Sequence, residues 1–181
     1  TTLTTIGFEG VSASTTLTLN NAGMTTLAGI GHFASLEELK CQSNQLTSLN
    51  LSGLSNLVTL YCADNQLTSL NFDGLIGLEY LDCGFNPLTS LDVSQLTSLK
   101  TLYCYSNQLT TLDVSKLTSL KTLCCFSNQL TSLDVSQLTN LTRLECYGNQ
   151  LSALDITPLT GLTTLICGYQ KNGNLTLVLT L

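Results

Sequence analysis

Cysteine recurs at positions 41, 62, 83, 104, 125, 146 and 167, and every interval is 21 residues. Leucine, asparagine and valine or isoleucine keep step with it. A fixed period in this range belongs to a solenoid, in which each repeat contacts only its neighbours. Function then becomes a question of which side chains decorate one face of the stack.

Six full copies run 36–56, 57–77, 78–98, 99–119, 120–140 and 141–161. The fourth reads LKTLYCYSNQLTTLDVSKLTS and the fifth LKTLCCFSNQLTSLDVSQLTN. A seventh begins at Leu162 and keeps LTTLICGYQ before departing from the pattern. Upstream, Leu17 to Leu27 forms a degenerate copy, with Ala22 where asparagine belongs and one extra residue before Leu36. The expected organisation is a single domain over 1–181: an N-terminal cap at 1–13, a degenerate repeat at 14–35, six repeats at 36–161, and a partial repeat with a capping strand at 162–181. Ile6, Phe8 and Val11 would line the first cap. The alternating leucines at 175, 177, 179 and 181 predict a strand closing the last coil.

Within each copy the Leu-x-Cys segment alternates inward and outward with the period of a strand. Stacked, those strands form a parallel sheet. The next inward residue is an asparagine (Asn44, Asn65, Asn86, Asn107, Asn128 and Asn149), tolerated in a core only when its amide is hydrogen-bonded. A turn leaving the strand offers the backbone groups that such an amide needs. The second half, Leu-x-x-Leu-Asp-Val-Ser-x-Leu, is too short and too rich in Thr, Ser and Asp for a real helix. It predicts an extended or 3-10 return arm.

Eight cysteines suggest disulfides, but their spacing opposes that reading. Equivalent residues on parallel strands lie roughly 4.8 Å apart and point the same way, whereas a disulfide needs converging Cβ atoms about 3.8 Å apart. Zinc needs four ligands wrapped tetrahedrally. A straight file of thiols gives neither, so seven buried free thiols are expected. Cys124 stands outside the file and is expected to point outward as an exposed thiol.

The pattern LxxLxCxxNxLxxLDVSxLT across residues 36–169 resembles the leucine-rich repeat family. It is most similar to the short 21-residue class of bacterial surface and secreted proteins, with internalin-like arrays. The resemblance implies a leucine-rich-repeat solenoid, capped at both ends, with a curved parallel sheet on the concave face, where partners usually bind. Cysteine in place of the more usual strand leucine, and Gln170 in place of the last asparagine, are departures from the pattern.

All six tyrosines fall on the outward strand face, joined by two of the five phenylalanines. Aromatic side chains on an exposed strand supply large contact area at low entropic cost. They also suit exposed sheet positions as lateral ladders. The candidate ligand-binding residues are Tyr61, Tyr80, Asp82, Phe85, Tyr103, Tyr105, Phe126, Arg143, Tyr147 and Tyr169, with the centre at Tyr103, Tyr105, Phe126 and Tyr147, all taken as strand positions. As catalytic groups, Glu79 and Asp82 could in principle flank a substrate, but nothing raises them above ordinary solubility residues.

Composition excludes several other functions. Net charge is −6 with six dispersed cations, so there is no basic stripe to neutralise phosphates. No apolar run approaches the roughly 20 residues of a membrane span. Thr1 reads as a mature or trimmed start, since no charged segment precedes an apolar one there. The only histidine, His32, lies in the degenerate turn beside Phe33 and away from the tyrosines; neither it nor any Ser/His/Asp or Cys/His arrangement suggests catalysis. No cofactor is implied. Asn50, Asn140 and Asn174 open Asn-x-Ser/Thr triplets that the repeat generates by itself.

The expected function is a non-enzymatic, extracellular or cell-surface module binding a protein or glycan on its aromatic concave face. The alternative is a subunit that joins copies of itself end to end through its weakly charged terminal strands.

Overall fold

The structure, a computed structural model, describes residues 14–171 and 173–179. The expected cap at 1–13 and the tail residue Leu181 lie outside the described residues. The chain is a parallel-strand solenoid of about eight turns with almost no helix. Each turn contributes one three-residue strand to the main sheet: β1 (Thr16–Thr18), β2 (Glu38–Lys40), β3 (Thr59–Tyr61), β4 (Tyr80–Asp82), β5 (Thr101–Tyr103), β6 (Thr122–Cys124) and β7 (Arg143–Glu145). After the short return-arm strand β8 (Ala153–Asp155), the main sheet ends with β9 (Thr164–Ile166). A last strand, β10 (Thr176–Val178), pairs in parallel with β8.

From β2 onward the register repeats without slippage: Leu39 opposes Leu60, then Leu81, Leu102, Leu123, Leu144 and Leu165. A slip of one residue would turn these leucines outward, so the buried face itself specifies the pairing. The extra residue before Leu36 is absorbed between β1 and β2, where Leu17 opposes Leu39. The return arms carry consecutive i→i+3 bonds, such as Leu96 N–H to Val93 O and Leu99 N–H to Leu96 O, each 2.9 Å. The expected 3-10 character is therefore present as tight turns, and a formal 3-10 segment occurs at Ile30–His32. The Asp of each LDVS segment caps its own turn: Asp92, Asp113 and Asp134 accept the N–H of Ser94, Ser115 and Ser136.

The asparagine file locks coil to coil. Asn107 Nδ2 donates to the carbonyls of Cys83, Cys104 and Tyr105, each at 3.1 Å, while its Oδ1 accepts the Leu88 N–H at 3.1 Å. Two of those partners belong to the preceding copy. Asn65, Asn86, Asn128 and Asn149 repeat the arrangement. Gln170, the apparent departure, reproduces it with one more methylene: Oε1 accepts from Leu151 N–H, and Nε2 donates to the carbonyls of Cys146, Cys167 and Gly168. Ala22 has no amide to offer, yet Asn44 reaches back to satisfy the Ala22 and Met24 N–H groups.

One turn position per copy is left-handed: Asn21, Ser43, Asp64, Phe85, Ser106, Ser127 and Tyr169, with φ between 49° and 55°. In the sixth copy Gly148 takes the place, at φ 68°. Phe85 and Tyr169 were expected on strands and are found in this turn. The backbone must reverse there so that the following asparagine faces inward, and an aromatic side chain pays a steric penalty for doing so.

Because the amide of Asn107 serves buried backbone groups of two copies, Asn107→Ala should cost about 1–3 kcal/mol. Gln108→Ala, at an exposed side chain, should be nearly neutral. Thermal melts of the two variants check this; equal shifts would contradict it.

Candidate functional site

Three files of side chains leave the outward face of the main sheet, one residue per copy in each. The first residues of the strands include Glu38, Tyr80 and Arg143; the last include Lys40, Tyr61, Asp82, Tyr103, Cys124, Glu145 and Ile166. The third file lies two residues beyond each strand and reads Gln42, Ala63, Gly84, Tyr105, Phe126, Tyr147 and Gly168. Tyr105, Phe126 and Tyr147 therefore stand just past the strand, a correction to their expected placement.

The files bring the rings into one chain. Tyr61 and Tyr80 have centroids 4.6 Å apart, Tyr80 and Tyr103 5.7 Å, and Tyr103 and Tyr105 6.3 Å. Tyr105 then stacks on Phe126 at 4.7 Å with planes 8° apart, and Phe126 stacks on Tyr147 at 4.5 Å and 7°. Those spacings match the strand repeat, so the backbone sets the stack. Phe85 meets the edge of Tyr105 at 5.3 Å from its left-handed turn. Tyr169 is 93% exposed and joins no ring pair among the described residues. Of the ten candidates, the structure thus brings together seven rings, sets Asp82 and Arg143 beside them, and leaves Tyr169 apart.

Gly84 is the residue that the sequence reading missed. A Cβ built there would lie 2.5 Å from Tyr105 Cζ, so the Tyr105 ring lies flat over the Gly84 backbone. The whole stack leans toward the N-terminal end as a result. Small residues (Ala63, Gly84 and Gly168) in the same file as Tyr105, Phe126 and Tyr147 were the available signal.

Between the rings lies a half-hidden polar layer. Asp82, taken from the sequence as an ordinary solubility residue, is buried, and its carboxylate accepts the Gly84 N–H at 3.2 Å. Burial raises its pKa, and that hydrogen bond partly offsets the shift. Cys124, expected exposed, is only 4% exposed, because the neighbouring files close over it and Arg143 hydrogen-bonds it. Burial, reinforced by the Glu145 charge, pushes its thiol to about 11. Arg143 also pairs with the buried Glu145. Burial, with Asp82 second, pushes the Tyr105 hydroxyl to about 12, so it stays a neutral hydrogen-bonding group. Lys100 bridges Glu79 at 2.7 Å, and Lys40 bridges Glu38 at 2.9 Å with its ammonium 5.7 Å from the Tyr61 ring centre.

All eight cysteines are free. Those of the file are fully buried except Cys167, which is half-buried because, among the described residues, β9 is the last strand of the main sheet. Cys41 and Cys146 are each pushed to about 12 by burial. His32 is exposed at the end of the 3-10 turn, bordering a shallow cleft with Thr26, Ser48, Asn50 and Ser52. The triplet asparagines 50, 140 and 174 are exposed.

The family of leucine-rich repeats, recognised two copies at a time, matches residues 55–96, 76–117, 97–139 and 118–160, more than half of the chain. The chain belongs to the leucine-rich repeat family. Its solenoid is similar to the functional domain of InlJ from Listeria monocytogenes, which includes a cysteine ladder, with 32% identity and a TM-score of 0.69 over 84% of this chain and 38% of that one. It is also similar to a leucine-rich repeat protein of Leptospira interrogans, with 33% identity and a TM-score of 0.83 over 88% of this chain and 44% of that one. The chain thus spans less than half the length of each. No curated protein sequence matches it. Leucine-rich repeat solenoids are typically non-enzymatic scaffolds for protein interaction, and this chain has that architecture. Among the described residues, no helix is long and apolar enough to cross a membrane.

Burial orders the thiols. In native protein, a thiol reagent should label Cys167 first, and the other seven only on unfolding. Labelling of Cys124 as fast as Cys167 would contradict the closed polar layer.

Proposed function

We propose that this leucine-rich repeat chain is a non-enzymatic, extracellular or cell-surface module that recognises a protein partner through the aromatic concave face. The observation that carries the reading is the unbroken run of rings from Tyr61 to Tyr147, held in place by the strand repeat. Binding hot spots concentrate in rigid, central aromatic and arginine side chains surrounded by groups that exclude water. Here Asp82, Cys124, Arg143 and Glu145 underlie and flank the rings, so a partner meets a preorganised surface. Tyr61, Tyr80, Phe85, Tyr103, Tyr105, Phe126, Arg143 and Tyr147 form the contact surface, Asp82 supports it, and Tyr169 stands at its rim. The likeness to bacterial repeat arrays supports the location.

A second reading, end-to-end assembly of copies, is favoured by one observation. Leu177 and Val178 on β10 are 40% and 43% exposed and Leu179 just beyond it is 62% exposed, and among the described residues β10 pairs with β8 alone.

Capture of proteins from a cell-surface extract by the immobilised chain tests the first reading. Wild type should retain a partner that Tyr103→Ala and Phe126→Ala lose, each at a cost above about 2 kcal/mol, with melting curves nearly unchanged. Capture that survives both substitutions contradicts it. Light scattering that grows with concentration and is abolished by deleting residues 174–181 would favour assembly instead.

A further inference from the structure

Two glycines occupy the third file, and they have opposite surroundings. Gly84 is buried under the Tyr105 ring, which starts the stack. Gly168 is exposed, and a Cβ built on it meets nothing within 4 Å. Between them the stack runs Tyr105, Phe126, Tyr147, each ring leaning toward the N-terminal end. Each ring is covered on one side by the ring of the next copy, until Tyr147. There the next copy supplies only Gly168, so among the described residues the far face of Tyr147 has no ring against it. Arrays of parallel rings gain from each added member, because offset faces attract beyond the area they bury. The stack is thus complete at its N-terminal end and one member short at the other.

We infer that the space beside Tyr147 and above Gly168 is a slot for an aromatic side chain of the bound protein, which would enter as the next ring of the stack. This rests on the proposed role of the aromatic face and adds to it the chemistry of the anchor. The slot has one flat wall, the free Tyr147 face. Its floor is the Gly168 backbone, with Ile166 beside it, 44% exposed, and Tyr169 at the outer rim, 93% exposed. The nearest charged side chains, Arg143 and Glu145, are already paired with each other. A sugar ring needs several convergent unpaired polar groups to replace its hydration, whereas the walls of the slot are a ring face and a glycine backbone. A flat aromatic ring needs only the stacking distance, which the backbone already sets at 4.5–4.7 Å between centroids. Tyr105 lying on Gly84 shows that a ring seats on a glycine of this file without displacing the sheet.

The test uses N-acetyl-tryptophanamide as the probe and the intact chain, which itself contains no tryptophan. Followed by NMR, the indole signals should shift upfield and saturably on binding wild type. Tyr147→Ala removes the wall, and Gly168→Tyr fills the slot from within. Both should weaken probe binding by about tenfold, the equivalent of one lost ring pair at the strong end of such interactions. Gly168→Tyr should melt no lower than wild type, since the space is open, and Lys116→Ala on the return arm should leave the probe unaffected. Undiminished binding in Gly168→Tyr or in Tyr147→Ala overturns the slot. So does binding of methyl β-glucoside with the same dependence on these residues, which makes the corner a sugar site. If the probe binds as expected while no partner is captured through Tyr103 and Phe126, the slot stands and the wider reading of the face falls. If a partner is captured equally by wild type and Gly168→Tyr, the face stands and the slot falls.

Discussion

The side-chain amide of the inward asparagine is the interaction on which the rest of this solenoid depends. Each strand must end and turn within a buried interior, which leaves backbone N–H and C=O groups that water cannot reach and that cost about 1–3 kcal/mol each if unpaired. The amide carries both a donor and an acceptor, so one side chain meets both needs. Its oxygen takes the leucine N–H of the preceding copy, and its NH2 group spans a carbonyl of that copy and two of its own. The six full copies keep a 21-residue spacing, with every asparagine in the same relation to the copy before it. The one extra residue, before Leu36, is taken up outside the lock, since Asn44 still reaches Ala22, Met24 and Leu19.

Function follows from that lock. With the asparagine fixed inward, the turn residue before it is forced left-handed, and the residue before that projects beside the strand face. Substitutions in this last file therefore change what the face displays and leave the core unaltered. The chain has placed Gly84 there to receive a ring, three aromatic residues to stack, and Gly168 to leave an opening. The cysteine file serves the same end from inside. A small, weakly polar side chain fits beside the turn, and its thiol donates to a neighbouring carbonyl, as Cys41 Sγ does to Tyr61 O at 3.4 Å.

Much of this was legible in the sequence because the inward files are chemically uniform. Leucine, cysteine and asparagine repeat through all six full copies where coils touch coils, and their period names the fold. The outward files mix residue types, so the same reasoning weakens there. The left-handed position holds Ser, Asp, Phe, Gly and Tyr by turns, and no residue type reveals it. Cys124 is buried by Tyr103, Arg143 and Glu145 of adjoining copies, a shielding that depends on which way long side chains lie. Cys167 shares its neighbours' sequence context but not their burial, because burial in a stack requires a coil on each side. The ring cluster was legible as a location and not as a stack, since the lean onto Gly84 is set by the absence of a side chain.

Site-resolved hydrogen exchange tests the amide lock most directly. The backbone N–H groups of Leu46, Leu67, Leu88, Leu109 and Leu130 donate to asparagine oxygens of the next copy, and that of Leu151 donates to Gln170. These six amides lie outside any strand, yet they should exchange as slowly as the central strand amides at Leu102 and Leu123. If they exchange at the rate of exposed turns while the strands stay protected, the asparagine file does not hold the coils together, and the account fails at its base.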